Sequence, residues 1–167
     1  MKLTLRQTLR LVVLLAVVLS LNLAIRLYVF RVVRVQGTSM ATTLNSGDLA
    51  VVTCFDYRLG RPRRGDVVQC RFPRRNGVYL KRLIGLPGET VEIIDSRVYI
   101  DGVALSEPYA TGASEDYRAE LGANDYLVLG DNRAESYDSR AGDMGAIHRK
   151  DILGRVRIAF PPFRIIE

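Results

Sequence analysis

The hydrophobic pattern divides the chain into two parts at about residue 30. Residues 11–30 are apolar on all faces of a helix, with Arg26 as the one charged residue. A helix of this length spans ~30 Å, the thickness of a bilayer core. After Arg31 the apolar residues come in short β-branched and aromatic runs separated by turn residues. The pattern predicts one N-terminal helix followed by a mainly β domain.

The apolar segment has two alternative interpretations, a cleavable signal peptide and a buried core helix. A signal peptide requires small residues just after its apolar core, and residues 25–28 do not provide them. A core helix is expected to be apolar along one stripe only. We therefore interpret residues 11–30 as an uncleaved membrane anchor, with Arg26 and Tyr28 at interfacial depth. Basic residues on both sides leave its orientation open.

Eight short segments of the remaining chain are predicted strands. Helix signals are scarce there, and the polar stretch 107–122 is predicted to be an irregular surface excursion. The predicted strands are residues 32–35, 49–55, 66–72, 77–84, 90–94, 97–100, 126–129 and 152–160, with 90–94 and 97–100 forming a hairpin.

Charge and metal-ligand content exclude several classes of function. Lys and Arg outnumber Asp and Glu by 24 to 18, but four of the six excess charges lie in the first thirty residues. A nucleic-acid partner is therefore not predicted, because a binder keeps its basic excess in the folded part. Cys54, Cys70 and the single His148 cannot supply four zinc ligands, and no cofactor is expected. The two cysteines could form one bridge or remain buried thiols.

Seven arginines lie between Arg58 and Arg75, with only Asp56 and Asp66 near them. Such a cluster is usually a solvated face. Next to a membrane anchor, it could instead rest on anionic lipid headgroups.

The first candidate for chemistry is Ser39, in the turn that follows the first predicted strand. Gly37 allows a positive φ there, which brings the backbone close to a bound chain. A serine on such a turn can present Oγ for attack, and its own N–H can help to hold an oxyanion. Serine beside glycine is also common in ordinary turns, so this stretch alone does not establish catalysis.

A nucleophilic serine needs a base, and Lys81 is better placed than His148, which lies in a polar connection. Lys81 and Arg82 interrupt an apolar strand, and alternation puts them on opposite faces. One of them must point toward the packed side or a cleft, where a desolvated lysine loses its proton more easily. The alternative is an edge-strand lysine that prevents aggregation.

The third cluster is the polar segment 130–140, which follows an apolar strand. In it Asp138 and Arg140 can pair, and Ser136 could donate to a nearby amine. By composition this is an elaborate loop, but long polar loops on a β scaffold often carry function.

Taken together and in this order, the clusters resemble the bacterial type I signal peptidases of the serine–lysine kind. The matching boxes are residues 37–44 with Gly47 and Asp48, then 64–68, 79–88 and 130–140. The resemblance covers nearly the whole chain. It implies a mainly β fold, an antiparallel β-sheet signal-peptidase-like catalytic domain preceded by a single N-terminal transmembrane helix.

Residue by residue, the resemblance implies a Ser39 nucleophile and a Lys81 general base. Ser136 would orient the lysine amine, and Asp138 and Arg140 would form a supporting ion pair.

Around the nucleophile, the resemblance implies that Met40 packs near the site and that the Ser39 N–H serves the oxyanion hole. Two positions depart from the family pattern. Gly37 stands where some relatives have a hydroxyl, so one oxyanion donor is either absent or replaced by a backbone group or water. Thr42 stands where the family usually has proline, which fixes φ, so a looser turn is expected.

The implied function is that of a membrane-bound serine endopeptidase that releases signal peptides from exported preproteins. Residues 1–10 would be cytoplasmic, 11–30 the single-pass anchor in the plasma membrane, and 31–167 the extracytoplasmic peptidase domain. The expected partners are signal peptides and the lipid bilayer, while the oligomeric state stays open.

Three alternatives to this function remain. A self-cleaving serine–lysine repressor shares the fold type, but a soluble N-terminal module would be expected. A serine–histidine signal peptidase of archaea or the endoplasmic reticulum is disfavoured by Lys81. An inactive membrane-anchored β domain that binds exported chains is compatible with Thr42.

Overall fold

The computed structural model describes residues 4–28 and 30–166, except for the side chains of residues 24–28, 58 and 59. Helix α1 (Leu5–Tyr28) begins before the predicted anchor, and Phe30 already belongs to the first strand. The side chains of residues 5–23 are exposed, so α1 does not pack as a core helix. In the described part of the chain, α1 is the one helix long and apolar enough to cross a bilayer. The predicted interfacial positions of the Arg26 and Tyr28 side chains lie outside the described residues.

The rest of the described chain is built from short strands, one four-residue α-helix, α2 (Asp56–Leu59), and two 3₁₀ helices, Arg133–Glu135 and Arg149–Asp151. The strands are β1 (Phe30–Arg34), β2 (Leu49–Thr53), β3 (Val67–Cys70), β4 (Tyr79–Gly85), β5 (Thr90–Ile94), β6 (Arg97–Ile100), β7 (Val103–Ala104), β8 (Tyr117–Glu120), β9 (Asp125–Leu129), β10 (Ile147–His148), β11 (Ile152–Phe160) and β12 (Arg164–Ile165).

The strands form two antiparallel sheets. The large sheet has the order β1-β2-β11-β3-β4-β9-β10, with β12 paired to β11, and the small sheet has the order β7-β6-β5-β8. The mainly β antiparallel prediction is confirmed. Every predicted strand has a counterpart, with ends that differ by a few residues.

The structure also contains elements that the pattern did not predict: α2, β7, β8, β10 and β12. β8 lies inside the stretch 107–122 that was predicted to be irregular, and it pairs with β5. Its sequence, Tyr-Arg-Ala-Glu, alternates between half-buried and exposed positions, but four residues within a polar stretch give only a weak signal. The other missed strands have two residues each, which is too short to show a period.

The two sheets join at Gly85, the last residue of β4. A Cβ at this position would lie 2.5 Å from Leu121 and 2.6 Å from Val91, so the close approach requires glycine. The apolar cluster at this junction includes Ile84, Val91, Leu127 and Leu129. A second cluster packs beneath the turn after β1 and contains Met40, Leu44, Val52, Val67 and Val156.

The two cysteines are free thiols in the structure. Cys70 is fully buried in β3, and its burial raises the pKa of the thiol to about 12. Cys54 is half-buried just after β2. Of the two interpretations, the structure therefore favours free thiols over a bridge.

Candidate active site

Ser39 lies in a tight turn between β1 and β2, and the ends of this loop are tied together. The Val35 N–H donates to the Asp48 carbonyl (2.8 Å), and the Gly47 N–H donates to the Val35 carbonyl (2.9 Å). Met40 and Leu44 are buried beneath the loop. Ser39 itself is half-buried, so the apolar neighbours anchor the loop while the serine stays accessible.

Lys81 lies on β4, a strand in the middle of the large sheet, and is only 3% exposed. Its Nζ donates to Ser136 Oγ at 3.0 Å. Burial lowers the pKa of the amine, and the nearby Asp138 carboxylate partly opposes this effect. The structure therefore places a desolvated lysine, with a fixed hydroxyl partner, at the position that the sequence singled out.

Ser136 is in turn held by the ion pair of Asp138 and Arg140. Its hydroxyl donates to Asp138 Oδ2 at 2.6 Å. Arg140 donates to the same carboxylate through Nε (2.8 Å) and Nη2 (2.9 Å). Burial opposes ionisation of Asp138, but the bonds from Arg140 outweigh it and lower the pKa of the carboxyl. The carboxylate thus remains charged and fixes the hydroxyl beside Lys81.

Ser39 and Lys81 line the same cleft, which has a volume of about 320 Å³. The end of β1 and the residues after it form one side, and Val78 with the beginning of β4 forms another. The lining residues are Val33, Arg34, Val35, Gln36, Gly37, Ser39, Met40, Gln69, Val78, Tyr79, Leu80 and Lys81.

The loop between β1 and β2, residues 35–48, carries Ser39 and is called the nucleophile loop after the role predicted for that serine. It meets the 130–140 segment at Gly130 and Asn132. The Asn132 N–H donates to the Ser39 carbonyl (3.1 Å), and its side-chain amide donates to the Thr38 carbonyl (3.3 Å). A Cβ at Gly130 would collide with both Ser136 Oγ and the Ser39 carbonyl oxygen. Glycine is required here because the Ser136 side chain and the Ser39 carbonyl both come too close to leave room for a Cβ.

Arg82, the neighbour of Lys81, points into a buried polar cluster. Its guanidinium donates to both oxygens of Asp131 at 2.9 Å each and to Thr43 Oγ1 at 3.1 Å. The Thr43 hydroxyl also donates to Asp131 at 2.5 Å. The Tyr109 ring stacks on the guanidinium, whose central carbon is 3.8 Å from the centroid of the ring. This cluster connects β4 to the nucleophile loop on the face away from Lys81.

The two positions that depart from the family pattern have well-defined conformations. Gly37 has a φ of +87°, in the left-handed region that favours glycine. Thr42 has a φ of +91°, which proline cannot adopt. The Thr42 hydroxyl donates to the Tyr109 carbonyl at 2.8 Å. The threonine side chain thus ties this turn to the Tyr109 backbone.

His148 lies on β10, the edge strand at the far end of the large sheet from β1. Its Nδ1 is 2.7 Å from an Asp125 carboxylate oxygen, and its side chain is 51% exposed. The structure does not place it among the residues that line the Ser39 cleft.

Sequence reasoning missed the structural roles of Tyr109, Asn132 and Gly130. Asn132 and Gly130 belong to the polar segment that was singled out, but spacing alone does not show which backbone they approach. Tyr109 lies in the stretch that was predicted to be irregular, where an isolated aromatic residue gives no signal of its partner. A buried cation at Arg82 was the available hint, since it requires partners from elsewhere in the chain.

Chemically, the arrangement combines an accessible hydroxyl, a desolvated amine and a fixed hydrogen-bond network around the amine. These are the parts of a serine nucleophile activated by a lysine base. In the described residues, no cluster of three or more His, Cys, Asp or Glu could hold a metal ion.

Comparison with known proteins identifies related sequences and structures. The profile of the family described as signal peptidase, peptidase S26, matches residues 5–161. Signal peptidase I of Bacillus licheniformis is 37% identical over 159 residues, which cover 88% of this chain and 85% of the relative. Signal peptidase I of Leptolyngbya laminosa is 38% identical over 153 residues, covering 85% and 74%.

The crystal structure of a signal peptidase I from Enterococcus faecalis V583 is similar in fold. It matches with a TM-score of 0.52 and 35% identity, covering 57% of this chain and 96% of that chain. The resemblance inferred from the four boxes is therefore confirmed, as is the signal-peptidase-like fold.

Replacing Gly130 with alanine tests how closely Ser136 and the Ser39 carbonyl approach this residue. We expect Gly130→Ala to lower the free energy of unfolding by about 1–3 kcal/mol, the usual cost of overpacking. Gly142→Ala is the matched control, because a Cβ there meets nothing within 4 Å. Denaturant unfolding of both variants in detergent measures the difference. Equal stability of the two variants would show that the contact at Gly130 is not as close as described.

Proposed function

The chain belongs to the signal peptidase family, peptidase S26, and on that basis we propose a membrane-anchored endopeptidase that uses Ser39 as nucleophile and Lys81 as general base. Family membership makes the protein a serine peptidase, a hydrolase, and supports the cleavage of signal peptides. The proposed substrates are the N-terminal signal peptides of exported preproteins.

One observation carries the assignment of the base: the buried Lys81 amine is held by Ser136 in the cleft that Ser39 also lines. An amine in water would be protonated at neutral pH and unable to accept a proton. Burial lowers the pKa of Lys81, and substrate in the cleft would desolvate the amine further. A neutral lysine can then take the Ser39 proton as the hydroxyl attacks the peptide carbonyl.

The remaining steps use the same groups. The Ser39 N–H is the proposed donor to the oxyanion of the tetrahedral intermediate. The protonated Lys81 returns its proton to the leaving amine as the peptide bond breaks. The lysine then takes a proton from water, whose oxygen attacks the acyl-enzyme ester. As the bond to Ser39 Oγ breaks and the acyl product leaves, Lys81 gives that proton to Ser39 and both groups are restored.

The roles of Ser136, Asp138 and Arg140 follow from their chain of contacts. Arg140 keeps the Asp138 carboxylate charged, and the carboxylate orients the Ser136 hydroxyl. Ser136 accepts from the amine while its own proton is donated to Asp138, and this pair of bonds fixes the position of the Lys81 nitrogen. We propose that these three residues position Lys81, and that Met40 forms the floor of the cleft beside Ser39.

We propose that substrate binds as an extended strand in the cleft between residues 33–37 and 78–81. An added strand presents alternate side chains to the protein, so the first and third residues before the cut point the same way. Gly37 adds no side chain to the wall of the cleft, whereas Met40 and Lys81 fill the base of the cleft. The pockets are therefore expected to accept small side chains.

Signal peptidase I is a membrane-associated enzyme, and α1 provides the proposed single-pass anchor here. We propose that residues 1–10 lie in the cytoplasm, that the part of α1 from residue 11 to Tyr28 crosses the plasma membrane, and that the peptidase domain, which begins with β1 at Phe30 and not at residue 31 as the sequence suggested, lies outside. This orientation places Ser39 on the side where exported chains emerge.

Lys81 variants test the base. We expect Ser39→Ala, Lys81→Met and Lys81→Arg each to lower kcat/KM for a preprotein by at least about 100-fold, since a guanidinium does not release its proton. His148→Ala is the control and should retain most activity. Circular dichroism should show an intact fold in all four variants. Activity in Lys81→Arg together with loss in His148→Ala would contradict the lysine mechanism.

The pH dependence of the wild-type enzyme follows from the lowered pKa of Lys81. The protonated amine is inactive, so kcat/KM should be low in acid and rise with pH. The midpoint should lie below the ~10.4 of a free lysine. An enzyme whose rate rises only near that value would show that burial does not tune the amine.

Preprotein variants test the cleft. An aromatic residue at the first or third position before the cut should abolish cleavage, since the pockets are expected to be small. The same residue at the second position points away from the protein and should be tolerated. N-terminal sequencing of the product verifies the cut site. Cleavage of both aromatic variants at wild-type rates would show that the strand binds elsewhere.

Protease accessibility tests the orientation. Protease added to intact cells stripped of their wall should digest residues 31–167 but leave a tag at residue 1 protected. Digestion of the domain only after lysis would reverse the orientation.

A further inference from the structure

A row of paired residues crosses the large sheet from the start of β1 to Lys81. Phe30 pairs with Thr53, Thr53 with Arg155, Arg155 with Val68, and Val68 with Lys81. One residue separates Phe30 from the end of α1. The catalytic lysine therefore lies at the level of the sheet at which the chain leaves the anchor helix.

The direction from this row toward the bilayer is set by β1, which runs away from α1. On the bilayer side of the row lie the end of β2, the beginning of β11 and the connection between β3 and β4. We define residues 71–78 as the β3–β4 loop. It starts three residues beyond Val68, which is ~10 Å along a strand. This places the loop at the depth of the headgroups if α1 spans the membrane, as proposed above.

The β3–β4 loop is basic and exposed. Its sequence contains Arg71, Arg74 and Arg75 and no acidic residue. In the described part of the chain, Arg71 and Arg74 have no carboxylate within 4 Å, whereas Arg75 is paired with Asp143 at 2.5 Å. Two guanidinium groups thus face solvent at this end of the sheet without a counter-charge.

Two of the nearby acidic groups are held in ion pairs, and a third accepts from a backbone N–H. Asp143 is bound by Arg75 and by the Tyr137 hydroxyl. Asp56 is bound by Arg157 at 2.9 Å. The Asp151 carboxylate accepts from the His148 N–H at 3.3 Å. None of them neutralises Arg71 or Arg74.

The loop is also fixed to the fold and to the cleft. Phe72 is buried and contacts the edge of the Tyr79 ring, with the centroids 5.3 Å apart. Val78 at the end of the loop is 48% exposed and lines the Ser39 cleft. Anything that holds the loop therefore also holds one wall of the cleft.

We propose that the β3–β4 loop docks on anionic lipid headgroups through Arg71 and Arg74, and so fixes the mouth of the cleft at the bilayer surface. Phe55, 51% exposed after β2, lies on the same side of the row and extends this contact toward the interfacial region. The partner is a bilayer surface with anionic phosphate headgroups. Guanidinium groups bind such phosphates with two parallel hydrogen bonds.

A lipid-contact measurement on the full chain tests the proposal. Asn76→Cys, in a Cys54→Ser background, places one fluorophore on the exposed loop, since Cys70 is fully buried. The labelled protein is inserted in nanodiscs of phosphatidylcholine, with or without phosphatidylglycerol, that carry a quencher on some headgroups. Quenching should be stronger in the anionic discs and should fall with added salt.

The arginine variants decide the outcome. The double variant Arg71→Gln with Arg74→Gln should lower the equilibrium constant for contact between the loop and the anionic bilayer roughly 30-fold, because each lost charge lowers it about fivefold. Arg97→Gln with Arg118→Gln removes the same charge from the small sheet and should leave quenching unchanged. Equal quenching in neutral and anionic discs, or in the loop variant and the wild type, would overturn the proposal.

Activity separates this proposal from the one on which it rests. The loop variant should cleave a preprotein in detergent at the wild-type rate, while Ser39→Ala should not cleave it at all. A loop variant that loses activity in detergent would mean that these arginines serve the peptide substrate, which also overturns lipid docking. A chain that does not enter nanodiscs would overturn both the anchor and the docking.

Discussion

Two cations side by side on a buried strand constrain most of this structure. Lys81 and Arg82 both lie within the sheet, 3% and 4% exposed, on opposite faces of β4. An unpaired buried charge costs several kcal/mol, so each residue must avoid that cost in its own way. The lysine can do so by losing its proton, which is what the chemistry needs. A guanidinium stays charged, so Arg82 requires the buried carboxylate of Asp131 instead.

The pairing of Arg82 with Asp131 also assembles the site. Asp131 follows Gly130 at the end of β9, and the residues around it contact the nucleophile loop on both sides. Thr43 joins the ion pair from one end of that loop, and Asn132 binds the Ser39 carbonyl at the other. The cation on one face of β4 therefore helps to position Ser39, and the lysine on the other face is the proposed base for that serine. Removing the Arg82 pair is expected to disturb the geometry of Ser39 as well as stability.

The strands and the contacts of the candidate site were predictable from the sequence to different degrees. The apolar runs identified the longer strands of both sheets, whereas β7, β10 and β12, with two residues each, were too short to be recognised. The sequence also predicted Lys81 and Arg82 on opposite faces of their strand, because side chains alternate along a strand, and the structure places them so. The partners that cross the chain were not predictable, because Tyr109 and Asn132 act through their position in the fold. Nothing in the local sequence indicates that a ring at Tyr109 covers Arg82 or that its carbonyl accepts from Thr42.

Thr42 shows which feature of the nucleophile loop must be kept. A proline at this position would hold φ near −65°, whereas Thr42 has a φ of +91°, so the two residues cannot share one backbone path. A positive φ in a β-branched residue is strained, and such strain persists only where the surroundings fix it. Here the fixing contact is the Thr42 hydroxyl on the Tyr109 carbonyl, next to the Arg82 cluster. The loop can therefore follow another path and still deliver Ser39, because the Ser39 carbonyl remains held by Asn132. The position of Ser39 therefore depends more on the bond between Asn132 and the Ser39 carbonyl than on which residue stands at position 42.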